Sequence, residues 1–320
     1  MKIQLLGGSG FIGTNLISEL IMNHQVTNLD RNDSSKYQSL TQKCDITDKE
    51  QLNEQLNYSD WLVLLAAEHR DDVWPREKYY DVNVEGTKNV LKAMAAKGIN
   101  KIIFTSSIAI FGLDKENPNE EHSQDPFNDY GISKWQAEEV LRAWYNERPQ
   151  ERTLIIIRPT VVFGVGNKGN VYNLLKQIAS GKFLMIGDGM NRKSMAYVKN
   201  VSAFIQHCIQ KNLTGYQLFN YVDKPDLTMN ELVSTAEESL NKKLLPIRIP
   251  YALGLFAGKL FDILAIITRK KLPISTIRIK KFCATTQFSS KRVAETGFIA
   301  PHKLADALQV TIKSIANETT

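Results

Sequence analysis

The stretch Gly7-Gly8-Ser9-Gly10-Phe11-Ile12-Gly13 follows the apolar run Ile3–Leu6 at the start of the chain. Its glycines are spaced G-x-x-G-x-x-G, through Gly7, Gly10 and Gly13, and a helix-like segment, Phe11–Asn23, opens inside it. A strand that runs through glycines into a helix presents free main-chain N–H groups and a positive dipole end to an anion. A plain glycine-rich bend looks the same locally, so the reading depends on what stands downstream. Asp30 lies seventeen residues past Gly13, at the end of the next apolar run, Val26–Leu29. A dinucleotide-binding unit needs an acid there for the adenosine ribose hydroxyls. A carboxylate repels a 2′-phosphate, which favours NAD over NADP. Arg31 follows at once, and an arginine at this point can serve that extra phosphate. The expected cofactor contacts are therefore Gly7, Gly10, Phe11, Ile12, Gly13 and Asp30.

Outward from this turn, short apolar runs alternate with helical segments through the first half of the chain. Ile3–Leu6, Val26–Leu29, Trp61–Leu65, Lys101–Thr105 and Leu154–Ile157 read as buried strands. Between them lie Phe11–Asn23, Lys49–Leu56, Tyr79–Lys97 and Tyr130–Asn146, which read as helices. Strand–helix alternation of this kind predicts an α/β fold, a Rossmann-like doubly wound parallel sheet. After Gly164 the order loosens, and a helix over Met229–Leu240 is followed by mixed apolar and basic stretches. The expected division is a nucleotide domain over 1–165, with 198–225 returning to it. Residues 166–197 and 226–320 then form a smaller, mixed C-terminal substrate lobe.

Chemistry enters with Tyr130-Gly131-Ile132-Ser133-Lys134, which puts Tyr130 and Lys134 at i and i+4 on one face of a first helical turn. A free tyrosine titrates near ~10 and is a poor base at neutral pH. A neighbouring ammonium favours the phenolate and brings it toward working range. Upstream, Phe104–Gly112 ends a strand in two hydroxyls, Ser106 and Ser107, and such a hydroxyl can hold the substrate oxygen that the tyrosine deprotonates. A lone Tyr-x-x-x-Lys is a common accident on helix surfaces. After a cofactor turn and a strand-end Ser-Ser, it reads as catalytic.

Composition bounds the rest. The 320 residues are 43% hydrophobic and 23% charged, ordinary for a globular enzyme with one large and one smaller domain. Cys44, Cys208 and Cys283 are odd in number and far apart, so neither a disulfide framework nor a metal site is expected, which suits the cytoplasm. The first residues reach glycine at once, and a secretory signal is not expected. The net charge of +6 is unevenly spread. Ten basic residues against Asp262 alone give Lys242–Phe282 a net +9, leaving −3 elsewhere. Within it, Tyr251–Lys271 is apolar but interrupted by Lys259 and Asp262, and its unbroken apolar stretches are too short to span a bilayer. Two readings of it stand: a core helix of the small lobe, or an interfacial element on anionic lipid headgroups. Aromatics are not interleaved with the basic residues, so no nucleic-acid partner is expected.

GGSGFIG (7–13), CDITD (44–48), LLAAEH (64–69), NVEGT (83–87), SSIAIFG (106–112), YGISK (130–134), RPTVVFG (158–164) and GDGMNRKSMAYVKN (187–200) together resemble the extended short-chain dehydrogenase/reductases of the sugar-nucleotide epimerase/dehydratase family. The resemblance runs nearly end to end. It implies that Asp45 and Ile46 flank the adenine, that Leu65, Ala66 and Ala67 line the dinucleotide, that Asn83 supports the active-site helix, and that Asn83, Tyr130 and Lys134 also bind the cofactor. Ser107, five residues before Gly112, would join Tyr130 and Lys134 as the catalytic trio. His69, Arg192, Lys193 and Thr285 are implied substrate contacts, with Thr285 beside the sugar C2 substituent. Dehydratases of the family carry an Asp-Glu pair after the hydroxyl residue. Here Ile108 and Ala109 stand there, which disfavours dehydration and leaves epimerisation or net dehydrogenation. Longer strings, among them NVYNLLKQIA (170–179), NYVDKPDLTMNEL (220–232) and KKFCATTQF (280–288), resemble members that act on a sugar carried by a lipid diphosphate. That implies C4 epimerisation of a lipid-linked amino sugar for O-antigen assembly. The expected partners are that lipid-linked substrate and an anionic membrane surface on the cytoplasmic side, with a homodimer admitted. A soluble UDP-sugar 4-epimerase is the alternative, and a non-catalytic dinucleotide sensor a distant one.

Overall fold

The computed structural model describes residues 1–70, 73–112, 115–181, 183–244, 247–268, 272 and 275–319. Twelve strands are formed among these residues: β1 (Lys2–Leu6), β2 (Gln25–Asp30), β3 (Thr41–Lys43), β4 (Trp61–Leu64), β5 (Lys101–Thr105), β6 (Thr153–Pro159), β7 (Val161–Phe163), β8 (Met185–Ile186), β9 (Arg192–Tyr197), β10 (Tyr216–Tyr221), β11 (Asp223–Thr228) and β12 (Arg248–Ile249). The α-helices are α1 (Phe11–Leu20), α2 (Lys49–Gln55), α3 (Glu77–Tyr80), α4 (Gly86–Ala96), α5 (Asp129–Glu147), α6 (Asn170–Ala179), α7 (Val198–Gln210), α8 (Met229–Leu240), α9 (Tyr251–Thr268), α10 (Thr276–Cys283), α11 (Lys291–Glu295) and α12 (Leu304–Thr319).

Seven strands make one sheet in the order β10-β6-β5-β4-β1-β2-β3. Every pairing in it is parallel. The apolar runs of the sequence are its central strands, and all four residues of β4 are buried. Full burial on both faces is what a parallel strand under helices requires, so those runs show no alternation. Chain order reverses between β1 and β4, and the crevice at their carboxyl ends is where such folds take ligands. The late strand β10 joins the far edge of this sheet beside β6.

A second, mixed sheet of three strands runs β11-β9-β7, with β11 antiparallel to β9 and β7 parallel to it. It shares a core with α6, α8 and α12 through Leu175, Leu232 and Leu308. The pair β12-β8 completes the architecture. α8 is held at its start by a full capping box, Thr228 with Glu231.

Tyr251–Thr268 form one 18-residue helix, α9, which even with Lys259 and Asp262 inside it has a mean hydropathy of 1.6 and enough length to cross a membrane by length and composition alone, where apolar stretches too short to span were expected. It is not the core helix of the first reading, because Gly254 and Gly258 are its buried residues, which leaves the interfacial reading. Arg269, Lys270 and Lys271 lie outside the described residues.

Candidate active site

Gly7 ends β1 at φ +90°, and a Cβ there would sit 2.4 Å from the main-chain nitrogen of Ala66. A Cβ on Gly13 would meet the Cα of Gly8 at the same distance. The turn is therefore packed so closely that only hydrogen fits, and α1 starts at Gly10 with no side-chain cap. Gly7, Gly10, Phe11, Ile12 and Gly13 line a cavity of about 930 Å3. A glycine turn closed against the backbone of Ala66 and of Gly8, leading into a helix start without a side-chain cap, suits a dinucleotide pyrophosphate.

Asp30 stands on the same wall at the end of β2. One of its oxygens accepts from Ser9 N at 2.9 Å and the other from Asn32 N at 2.8 Å. Arg31 is drawn toward Glu68, with Nη2 3.7 Å from Oε2. Asp45, Ile46, Leu65, Ala66, Ala67 and His69 also line the cavity.

At the other end, Ser107 follows β5 and accepts from Ala109 N at 3.1 Å, starting the short 3-10 turn Ile108–Phe111. Its neighbour Ser106 is buried on the cavity wall, and its hydroxyl has no partner among the described residues. Asn128 caps α5 by accepting from Gly131 N at 2.8 Å, which sets Tyr130 in the first turn. Tyr130 and Lys134 both line the cavity, one helical turn apart. Lys134 is buried, lies 4.0 Å from the Phe104 ring centroid and donates to Thr105 O at 2.6 Å. Burial pushes its ammonium down to about 7, against the pull of Glu138 one turn on.

Asn83 stands behind this wall, in a π-helical turn, Asp81–Glu85, that joins α3 to α4. It donates to Ser133 Oγ at 2.9 Å and to Glu68 O at 3.0 Å, and accepts from Glu68 N at 2.9 Å. Asn83 thus ties α5 to the segment after β4, and is not among the residues that line the cavity.

Three expected substrate contacts are not on the cavity wall. Lys193 Nζ donates to Lys281 O at 2.9 Å and to Ala284 O at 2.5 Å, capping the carboxyl end of α10. Burial lowers its ammonium to about 8. Arg192 donates to Asp226 O at 3.0 Å, and Thr285 Oγ1 accepts from Arg192 N at 3.3 Å. Asn200 likewise holds structure, donating to Asp223 and to His302 O. The cavity instead receives cations that linear reasoning missed: Arg70, Lys168 and Lys281. Lys281 reaches it from α10, with Nζ 4.8 Å from the Phe127 ring centroid. The basic run around it was visible in sequence, but nothing local placed one member on this wall.

The NAD dependent epimerase/dehydratase family profile matches residues 3–220, and the chain belongs to that family; its cofactor is NAD. The chain is 55% identical over 312 residues to the N-acetyl-alpha-D-glucosaminyl-diphospho-ditrans,octacis-undecaprenol 4-epimerase of Escherichia coli O157:H7, covering 98% of this chain and 94% of that one. It is 31% identical over 271 residues to the UDP-glucose 4-epimerase of Vibrio cholerae, covering 81% and 82%. The fold matches UDP-glucuronic acid 4-epimerase from Bacillus cereus, solved with NAD, at a TM-score of 0.76 and 19% identity over the whole of both chains. UDP-glucose 4-epimerase from Thermotoga maritima matches at a TM-score of 0.78 and 20% identity, again over both whole chains.

Proposed function

We propose that the protein is an NAD-dependent isomerase that inverts C4 of N-acetylglucosaminyl-diphospho-undecaprenol, giving the N-acetylgalactosaminyl lipid for surface polysaccharide assembly. The observation that carries this reading is the 55% identity over 98% of the chain to the Escherichia coli 4-epimerase. The site adds chemical support. Tyr130, as phenolate, takes the C4 hydroxyl proton, and Ser107 holds the same oxygen by a hydrogen bond. Lys134, one turn below Tyr130, favours the phenolate when it carries its proton, and burial brings that protonation to about 7, near working pH. NAD held by the glycine turn would supply the hydride acceptor and donor for C4. Rotation of the 4-keto sugar between the two transfers presents the opposite face, and Tyr130 hands its proton back to the new hydroxyl.

Gly7, Gly10, Gly13 and the start of α1 would hold the pyrophosphate, and Asp30 the adenosine ribose. Ile108 and Ala109 line the cavity and have no proton to exchange, which speaks against elimination of water. Away from the acids Asp30 and Asp45, the charged residues of the wall are cationic, which suits a sugar diphosphate. We place the protein at the cytoplasmic face of an anionic membrane, as a peripheral enzyme reaching a lipid-borne donor. The test is to incubate it with radiolabelled GlcNAc-diphospho-lipid and, separately, with UDP-GlcNAc, then hydrolyse and identify the sugar. Conversion of the lipid-linked donor supports the reading. Conversion of the UDP sugar alone would replace it with a soluble UDP-sugar epimerase.

A further inference from the structure

α9 is built the wrong way round for a core helix. Its buried face is the small one: Gly254 and Gly258, one turn apart, are its fully buried residues. A Cβ on Gly258 would stand 2.9 Å from Thr276 N and 3.0 Å from Ile279 Cδ1, and one on Gly254 would stand 2.8 Å from Ile186 Cγ2. The glycines thus let the α9 backbone lie directly on α10 and β8. Asp262 belongs to this inner side, where it accepts from Thr276 N at 3.1 Å in the first turn of α10, which Ser275 caps. Most of its large apolar residues point outward, with Leu255 and Phe261 half-buried. Leu253, Phe256, Leu260, Ile263, Leu264 and Ile267 recur at spacings of three and four and are all exposed, Phe256 to 62% and Ile267 to 73%.

We infer that this outer face of α9 is an in-plane membrane anchor, which enters the headgroup boundary of an anionic bilayer side-on and does not cross it. The inference deepens the peripheral-membrane reading above and rests on it for the identity of the surface. Three observations carry it. An exposed apolar stripe as long as a whole helix exceeds the scattered surface hydrophobes of an ordinary monomer. The segment Lys242–Phe282 around it carries a net +9, which complements anionic headgroups. The same charge would repel a second copy packed on this face, so a bilayer fits it better than self-association.

Crossing is opposed by the attachments of α9. Its inner side is fastened along its length by Gly254, Gly258 and Asp262, and its flanking elements pack back onto the same lobe. β12, just before it, pairs with β8, and α10, just after it, delivers Lys281 to the cavity wall. A spanning α9 would have to leave all of these contacts. Lying flat, it sets the active-site cavity one helix away from the lipid surface, within reach of a diphosphate that stays at the headgroup level.

The test uses the whole NAD-bound protein and sucrose flotation with vesicles of phosphatidylglycerol and phosphatidylethanolamine. Wild type should float, and should stay at the bottom with phosphatidylcholine alone. Phe256→Glu/Ile263→Glu should reduce the floated fraction at least tenfold while bound NAD and the melting temperature stay at wild-type values. Equal flotation of that variant overturns the anchor and leaves the peripheral-membrane reading standing. Wild type that stays at the bottom on every vesicle overturns both, although turnover of the lipid-linked donor in detergent would still support the catalytic reading. A wild-type dimer that the variant dissolves, seen by light scattering, would assign the face to a second copy and overturn the anchor. Orientation is read with Phe256→Trp and Ile267→Trp, which lie about 16 Å apart along the helix axis. In-plane binding predicts that the fluorescence each variant adds over wild type is quenched alike by lipids brominated at one chosen depth. Quenching at clearly different depths would mean that α9 crosses, and would overturn the in-plane geometry.

Discussion

Lys134 donates to the main-chain oxygen of Thr105 at 2.6 Å, so the last carbonyl of β5 fixes the ammonium below Tyr130. Burial moves that ammonium down to about 7 from an ordinary 10.5. Between those values the unfolded chain holds a proton that the folded chain has released, so stability rises with pH. The contribution is fully present above about 10.5 and is lost as pH falls through about 7. Relative to Lys134→Met, wild type should therefore gain stability from pH 6.5 to pH 9.5, read as the difference in urea midpoints. A difference that does not change with pH would show that the lysine keeps its charge in the folded state.

Tyr130→Phe keeps the ring, which packs 6.5 Å from that of Tyr79, and removes the proton chemistry. Turnover should fall by about 10²–10⁴-fold with NAD still bound. Activity within threefold of wild type would take the base assignment away from Tyr130.

Much of the nucleotide half was legible because its signals are local. A glycine turn, an acid at the end of the next strand, and a tyrosine and lysine one turn apart each sit within a single unit of structure. The central strands were legible as apolar runs because both faces are covered. β3, with Thr41-Gln42-Lys43 at the sheet edge, has no apolar signal, and β8 and β12 are two residues each. The substrate side resisted because its residues arrive from distant elements. Lys193 looked free to bind a diphosphate, but the fold brings two main-chain carbonyls from the end of α10 onto its ammonium. From the same basic run it is Lys281 that reaches the cavity, and its own carbonyl is one of those two. The core-helix reading of α9 failed for a different reason: its glycines bury the backbone and leave most of the hydrophobic side chains outside.

That exchange of roles is testable. Lys193→Ala leaves the carbonyls at the end of α10 without their charged donor and should cost about 1–3 kcal/mol of stability. KM should move less for this variant than for Lys281→Ala. A large rise in KM for Lys193→Ala at unchanged stability would return the substrate contact to Lys193.

Asp30 faces the cavity, while Glu68 engages the neighbouring Arg31. Asp30→Gly should weaken NAD binding by roughly 10–100-fold, the worth of a hydrogen bond to a charged acceptor. It should not create NADP binding, because Arg31 stays turned toward Glu68. Asp30→Gly/Glu68→Gln frees that arginine and should bind NADP at least as tightly as NAD in calorimetry. Strong NADP binding by the Asp30→Gly single variant would mean that Glu68 does not restrain Arg31.

Beneath the site, Arg158 of β6 and Glu138 of α5 meet with both side chains fully buried. Arg158 donates through Nε at 2.9 Å and through Nη2 at 2.6 Å, a bidentate pair, and its guanidinium lies 5.3 Å from the Phe111 ring centroid. Glu138 also accepts from Arg142, so its carboxylate joins two cations. The pair ties the helix of Tyr130 and Lys134 to the strand beside β5. Removing one member strands a buried charge, so Glu138→Leu or Arg158→Met alone should cost about 3–5 kcal/mol. Removing both leaves no such charge on this pair, and the double variant should lose clearly less than the two single losses together. Urea unfolding of the four proteins closes the cycle. Single losses below about 1 kcal/mol, or a double variant equal to their sum, would mean that the two residues do not act as a coupled pair.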